Sequence, residues 1–219
     1  MSRITKALTP ELHDYLLQHN RPQTDRLLLE LAAETADALP DDAGMQIAPE
    51  QGAFMTLLTK TLNVRNAVEV GTFTGYSSLC IARGLADGGR LLCCDVSEEF
   101  TAIARRYWER AGVADRIELR LAPAVETLRE LPADPPIDLA FVDADKEGYV
   151  DYWEEIVARL RPGGVILVDN VFSAGRVVAD DPGPVGTAIQ RFNDHAAADV
   201  RIELAMLPIA DGLTFARKL

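Results

Sequence analysis

The residues with the most chemistry in them sit in two short clusters. Asp143-Ala144-Asp145-Lys146 closes the apolar run IDLAFVD (137–143), and Asp169-Asn170 closes GVILVDN (164–170). If both runs are strands of one sheet, Asp143, Asp169 and Asn170 bring three side-chain oxygens towards one point. An all-oxygen set suits a hard cation, Mg²⁺ or another such as Ca²⁺ or Mn²⁺, and not Zn²⁺, which favours His and Cys. Three protein ligands on an octahedral ion leave room for two adjacent substrate oxygens and a water, and the ion would lower the pKa of a phenol bound there. Lys146, close to Asp143 and such a cation, could then serve as a base. Plainer roles compete. Acids at a helix start favour the positive end of its dipole, Asp169-Asn170 could be a turn, and Lys146 a solvated surface charge. His13, His19 and His195 are scattered without ligand spacing and receive no role.

A second cluster lies upstream. The run AVEV (67–70) leads into Glu69-Val-Gly71-Thr-Phe-Thr-Gly75-Tyr-Ser77. Glycines at both ends of a short turn let the backbone approach a ligand where a strand feeds a helix. The third glycine of the dinucleotide fingerprint is missing, which counts against NAD and for a ligand with no pyrophosphate to hold. Roughly twenty residues on, the next strand ends in Asp95, placed to accept hydrogen bonds from both hydroxyls of a ribose. Together these residues point to an adenosine-containing ligand. A tight structural turn, and an Asp95 that caps the following helix, are the alternatives.

These clusters need a scaffold that lines up strand ends. From Asn66, apolar runs alternate with amphipathic segments: AVEV, RLLCCD (90–95), RIELRL (116–121), IDLAFVD and GVILVDN, with helical stretches such as 97–111 and 149–160 between them. That alternation predicts βαβ units and a parallel sheet with helices on both faces, whose ligands bind at the carboxyl ends of the strands. The last two runs, RIELAML (201–207) and LTFARK (213–218), are separated by only Pro208-Ile-Ala-Asp-Gly212, too short for a crossover helix, and should form an antiparallel hairpin. The first sixty residues read as three helices: one from Thr9-Pro10-Glu11, one from about Pro22 to Ala38, and one from Pro49.

The 219 residues suit one α/β domain spanning 1–219. No apolar run approaches the roughly 20 residues that span a bilayer, and the N-terminus does not read as a secretory signal. A cytoplasmic location without membrane attachment is expected. Cys80, Cys93 and Cys94 form no C-x-x-C pair and read as reduced core residues, the last two facing opposite sides of a strand. A net charge of −12 without a basic block repels phosphate backbones and argues against a nucleic-acid partner.

At these residues the chain resembles the cation-dependent O-methyltransferases typified by caffeoyl-CoA O-methyltransferase, and more distantly catechol O-methyltransferase. MQIAPEQG (45–52), EVGTFTGYS (69–77), FVDADK (141–146), GGVILVDN (163–170) and MLPIADGLTFARK (206–218) follow in family order, covering most of the chain beyond residue 45. The resemblance implies an α/β class I SAM-dependent methyltransferase (Rossmann-like) fold, with a seven-stranded, mostly parallel sheet, one antiparallel strand and helices on both faces. It also implies a homodimer, with the N-terminal helices (1–62) contributing to the acceptor site and the dimer interface. S-adenosyl-L-methionine (SAM) would be contacted by Glu69, Gly71, Thr72, Ser77, Asp95, Ala124 and Asp145. The cation would be held by Asp143, Asp169 and Asn170, with Asp143 and Lys146 the catalytic pair and Lys146 the base.

The departures fall on the acceptor side. Ile47 stands near the cofactor where plant members usually carry Thr or Ser, Ala174 replaces an asparagine that contacts substrate, and Ala144 replaces a histidine of the catechol enzyme. Loop 172–184 has its own sequence. The expected activity is methylation of one of two adjacent hydroxyls on a small catechol-type or phenylpropanoid-like substrate. The rivals are O-methylation of a hydroxylated tRNA base and a non-catalytic SAM-binding protein, which would be expected to lack Lys146 or a metal ligand.

Overall fold

The computed structural model describes residues 8–21 and 24–219. Three helices come first: α1 (Pro10–His19), α2 (Arg26–Ala38) and α3 (Pro49–Thr61). The Thr9 hydroxyl caps α1 by accepting from Leu12 N, and the Asp25 carboxylate caps α2 by accepting from Leu28 N. The expected start of the second helix at Pro22 lies outside the described residues; the described helix begins at Arg26. Leu28, Leu31 and Thr35 form its buried stripe, at the spacing of one helical face.

The alternating part follows: β1 (Asn66–Val70), α4 (Tyr76–Gly84), β2 (Arg90–Asp95), α5 (Glu98–Arg110), β3 (Ile117–Leu121), α6 (Ala124–Glu130), β4 (Ile137–Val142), α7 (Tyr149–Arg159), β5 (Leu160–Val168), α8 (Gly183–Ala198), β6 (Ile202–Leu207) and β7 (Leu213–Lys218). The strands form one sheet in the order β3-β2-β1-β4-β5-β7-β6. The pairs among β1 to β5 are parallel, and β7 is antiparallel to both β5 and β6. The hairpin expected from the five-residue connection is present. One boundary differs: Leu160, read as the end of a helix, is the first residue of β5 and pairs with Ile137, a register shift separating this pair from Leu139–Val165.

Period-two alternation divides the core between the two faces of the sheet. Ala67, Leu91, Cys93, Leu139, Phe141, Val165 and Leu167 pack towards the side of α2 to α5. Val68, Val70, Cys94, Ala140, Val142, Ile166 and Val168 pack towards α6 to α8. Cys93 and Cys94 thus face opposite sides, and all three cysteines are buried and free. Along α7, Tyr149, Tyr152, Trp153, Ile156 and Val157 are buried at i, i+3, i+4, i+7 and i+8, the pattern of a helix laid on a sheet.

The result that matters for chemistry is the alignment of strand ends. Gly71 N donates to Cys94 O (3.0 Å), Asp143 N to Val70 O (2.8 Å) and Asp169 N to Val142 O (3.0 Å). These bonds carry the ladder one residue past β1, β4 and β5. The segments leaving β2, β1, β4 and β5 therefore emerge side by side.

Candidate active site

Along this edge lies a cavity of about 960 Å³. Every candidate site residue lines it except Glu69: Ile47, Gly71, Thr72, Ser77, Asp95, Ala124, Asp143, Asp145, Lys146, Asp169 and Asn170 all contribute. Glu69 lies under the wall, fully buried beside Cys93 and Phe141 on the neighbouring strands. Its Oε2 accepts a hydrogen bond from Cys93 Sγ (3.3 Å). Burial pushes its carboxyl up to about 8, against a smaller pull from hydrogen bonding to Ser77 and Cys93.

The glycine turn is held by Asp95. Its Oδ2 accepts from Thr72 N (2.9 Å) and Phe73 N (2.8 Å), and its Oδ1 accepts from Val96 N (2.7 Å) and Ser97 N (2.8 Å). Four backbone donors on one carboxylate fix its plane and stitch the end of β2 to the turn after β1. The capping role weighed for Asp95 falls instead to Ser97, whose hydroxyl accepts from Phe100 N (3.1 Å). Phe73, at φ +50, meets Phe100 edge-on with ring centroids 5.0 Å apart, and both rings line the cavity beside Asp95.

At the other end Lys146 stands among the acids. Its ammonium donates to Asp143 Oδ1 (2.9 Å), Asn170 Oδ1 (2.7 Å) and Tyr149 Oη (2.6 Å), with its side chain 19% exposed. It is not a solvated surface charge. Tyr149 Oη donates in turn to Asp169 O (3.1 Å). Burial, and then the charges of Asp143, Asp169 and Asp145, hold the Tyr149 phenol well above its ordinary range, so it remains a donor. Asp169 is nearly buried; burial first, and the Asp143 charge second, raise its carboxyl to about 7. Its Oδ1 accepts from Asn170 N (2.7 Å) and its Oδ2 from Gln51 Nε2 (2.7 Å).

Asp145 stands at a helix start and caps it: its Oδ2 accepts from Gly148 N (3.1 Å) at the start of the turn 146–148, and its Oδ1 accepts from Tyr152 Oη (2.6 Å). It also lines the cavity.

The donor chemistry fits a hard cation. Asp143, Asp169 and Asn170 supply oxygens only, and a protein cation, the Lys146 ammonium, already bridges Asp143 and Asn170. Among the described residues no group of three or more His, Cys, Asp and Glu side chains gathers as a metal centre. The set here is two carboxylates and one amide.

No role for Gln51, Tyr149 or the Phe73–Phe100 pair is read from the sequence, although Gln51 and Phe73 lie within two of the motifs that carry the resemblance. Gln51 reaches Asp169 across 118 positions. Tyr149 follows Lys146 by three, the spacing of neighbours on a helical turn, which is the one hint available for it.

Comparison with known proteins agrees with this geometry. A sequence profile of the O-methyltransferase family matches residues 19–219. A probable caffeoyl-CoA O-methyltransferase 1 of Dictyostelium discoideum is 39% identical over 213 residues, covering 94% of this chain and 91% of that protein. Caffeoyl-CoA O-methyltransferase 5 of Nicotiana tabacum is 34% identical, covering 95% and 91%. The crystal structure of the O-methyltransferase from Bacillus cereus in complex with SAH superposes with a TM-score of 0.85 at 34% identity, covering 95% of this chain and 97% of that one. The architecture is the class I SAM-dependent methyltransferase fold, and the chain belongs to the O-methyltransferase family.

Proposed function

We propose that this protein transfers the methyl group of SAM to one of two adjacent hydroxyls on a small phenolic acceptor, and that the transfer depends on a divalent cation. The observation that carries the reading is the convergence of Asp143 and Asn170 on the Lys146 ammonium, in the cavity that also holds Asp95 and the glycine turn. Asp95 and the backbone from Gly71 to Ser77 would hold the adenosine part of SAM, with Phe73, Phe100 and Ala124 as apolar walls. The cation, Mg²⁺ or another hard ion, would be held by Asp143, Asp169 and Asn170 and would make a phenol hydroxyl more acidic.

Lys146, in its amine form, takes the proton of the acceptor hydroxyl. The oxygen attacks the methyl carbon in line as the carbon–sulfur bond breaks, leaving the methyl ether and SAH. Much of the acceleration comes from positioning, since both reactants would lie in one cavity. Met45, Ile47 and Gln51 line it from the N-terminal helical layer, which supports a contribution of that layer to the acceptor site.

A homodimer and a cytoplasmic location belong to the same reading. The exposed Leu12 and Tyr15 of α1 would supply apolar surface to a partner, and among the described residues no helix is long and apolar enough to cross a membrane. The net charge of −12 favours a small acceptor over tRNA. Lys146, Asp143, Asp169 and Asn170 are all present, which favours catalysis over passive SAM binding.

Purified protein assayed with labelled SAM against catechols, caffeoyl esters, flavonoids and tRNA tests the reading. Catechol-type compounds should be labelled and matched monophenols should not; EDTA should abolish turnover and Mg²⁺ restore it. Full turnover in chelated enzyme would remove the cation, and equal kcat/KM for catechol and monophenol would remove the demand for paired hydroxyls.

A further inference from the structure

Gln51 lies in the first turn of α3, fully buried, and its Nε2 donates a 2.7 Å hydrogen bond to Asp169 Oδ2. A carboxylate only accepts hydrogen bonds, so the amide must present its NH₂ to Asp169 and leave Oε1 as the acceptor. That Oε1 is buried without a partner. Other contacts dock α3. Met55 fills the core, Gly52 packs closely on Cys80 and Tyr76, and Thr56 Oγ1 donates to Cys80 O (3.0 Å). A polar side chain in a place where an apolar one would dock the helix as well has another task.

Its partner suggests which. Asp169 Oδ1 is held by Asn170 N (2.7 Å) and Oδ2 by Gln51, so the carboxylate is gripped at both oxygens and cannot swing about its side-chain bonds. Hydrogen bonds of this kind orient ligating carboxylates, and losing one typically costs 10–100-fold in metal affinity. A rigid oxygen also discriminates between ions. Mg²⁺ demands near-ideal octahedral geometry, whereas Ca²⁺ tolerates irregular and larger shells.

We propose that Gln51 is a positioning residue of the cation site, which acts through Asp169 to set cation affinity and to favour Mg²⁺ over Ca²⁺. This rests on the reading that Asp143, Asp169 and Asn170 hold the cation. It assigns a task to the N-terminal helical layer beyond lining the acceptor space: α3 braces a ligand that sits at the end of β5.

Calorimetric titration of Mg²⁺ and of Ca²⁺ into the full-length, EDTA-treated protein tests it, without any turnover. Gln51→Met keeps the length and volume and removes the donor. It should lose roughly 10–100-fold in Mg²⁺ affinity, lose less for Ca²⁺, and bind SAH within about twofold of wild type. A packing role would instead lower thermal stability and SAH affinity and leave the Mg²⁺ to Ca²⁺ ratio unmoved, which overturns the proposal. Gln51→Asn is the second variant, in case the first does not fold. It keeps an amide but shortens its reach towards Asp169, so it should likewise lose more affinity for Mg²⁺ than for Ca²⁺; an unmoved Mg²⁺ to Ca²⁺ ratio overturns the proposal. The wild type separates the two failures. If it does not respond to either ion, the cation reading itself falls and the proposal with it; if it responds and Gln51→Met responds equally, only the proposal falls.

Discussion

The Lys146 ammonium donates a 2.7 Å hydrogen bond to Asn170 Oδ1, joining the segments that follow β4 and β5. The same nitrogen lies 2.9 Å from Asp143 Oδ1. In the proposed mechanism the acceptor hydroxyl would arrive beside Lys146, while the groups that would hold adenosine lie along the cavity at Asp95 and the glycine turn. Base and cofactor roles should then be separable. Lys146→Ala should bind SAM within about twofold of wild type and lose on the order of 10²–10⁴ in kcat, the usual size of general-base catalysis. Single-turnover rates beside calorimetric SAM titration decide it. Near-normal kcat in the variant would reduce Lys146 to a counter-charge for Asp143.

The place of Asp95 at the end of β2 suggests an acid that holds a ligand; the structure puts it on the cavity wall and adds that it holds up the turn. Removing the side chain leaves Thr72 N, Phe73 N, Val96 N and Ser97 N without their acceptor. Each donor left buried and unpaired costs about 1–3 kcal/mol, and those that reach water much less. Asp95→Ala should therefore lose thermal stability even without cofactor, by at least about 1 kcal/mol, or some 2–4 °C in Tm for a chain of this size. It should also bind SAM far more weakly, with the cation response of the protein retained. A variant as stable as wild type would show that Asp95 contributes to the ligand alone.

What the residues revealed in advance, and what they hid, follows from the range of the interactions. The switch to period two at Asn66, and the five residues between the last two runs, are local patterns, and they gave the strands and the hairpin. The acids at strand ends were legible for the same reason: once the sheet is parallel, Asp95, Asp143 and Asp169 must share an edge. Gln51 was not legible, because an amide in a helix means nothing until the fold brings Asp169 to it. Glu69 showed the opposite problem. Its position at the end of β1 was clear, but only the alternation of the sheet shows that it points into the apolar layer beside Cys93 and Phe141.

That burial makes Glu69 a source of pH dependence. Its carboxyl is raised from 4.5 to about 8, chiefly by burial. Between those two values the unfolded chain gives up this proton while the folded chain keeps it, so stability falls as pH rises through this window and levels off above it. Asp169, raised to about 7, adds a slope of the same direction. In chelator and without SAM, urea denaturation from pH 5 to 8 should show wild type losing stability more steeply than Glu69→Gln, which keeps only the part due to Asp169. Parallel profiles for the two proteins would mean that Glu69 is ionised in the fold.

The turn after β1 and the acid after β4 are pressed together at Gly71. A Cβ there would fall 2.0 Å from the Asp143 carbonyl oxygen, and the residue sits at φ +87. Gly71→Ala must both adopt a left-handed backbone and push β1 away from the segment that carries Asp143, at a combined cost of about 2–4 kcal/mol. Gly88 offers the control. It sits at φ +73, but a Cβ there would meet nothing within 4 Å, so Gly88→Ala pays only the backbone part, roughly 1–2 kcal/mol. Thermal denaturation should rank wild type above Gly88→Ala and Gly88→Ala above Gly71→Ala. SAH titration should find binding kept in Gly88→Ala and lost or much weakened in Gly71→Ala, because the displaced turn is the one Asp95 holds. Equal losses of stability and unchanged SAH affinity in both variants would mean that the contact with Asp143 yields without cost, and that the cofactor turn and the acid cluster are not mechanically linked.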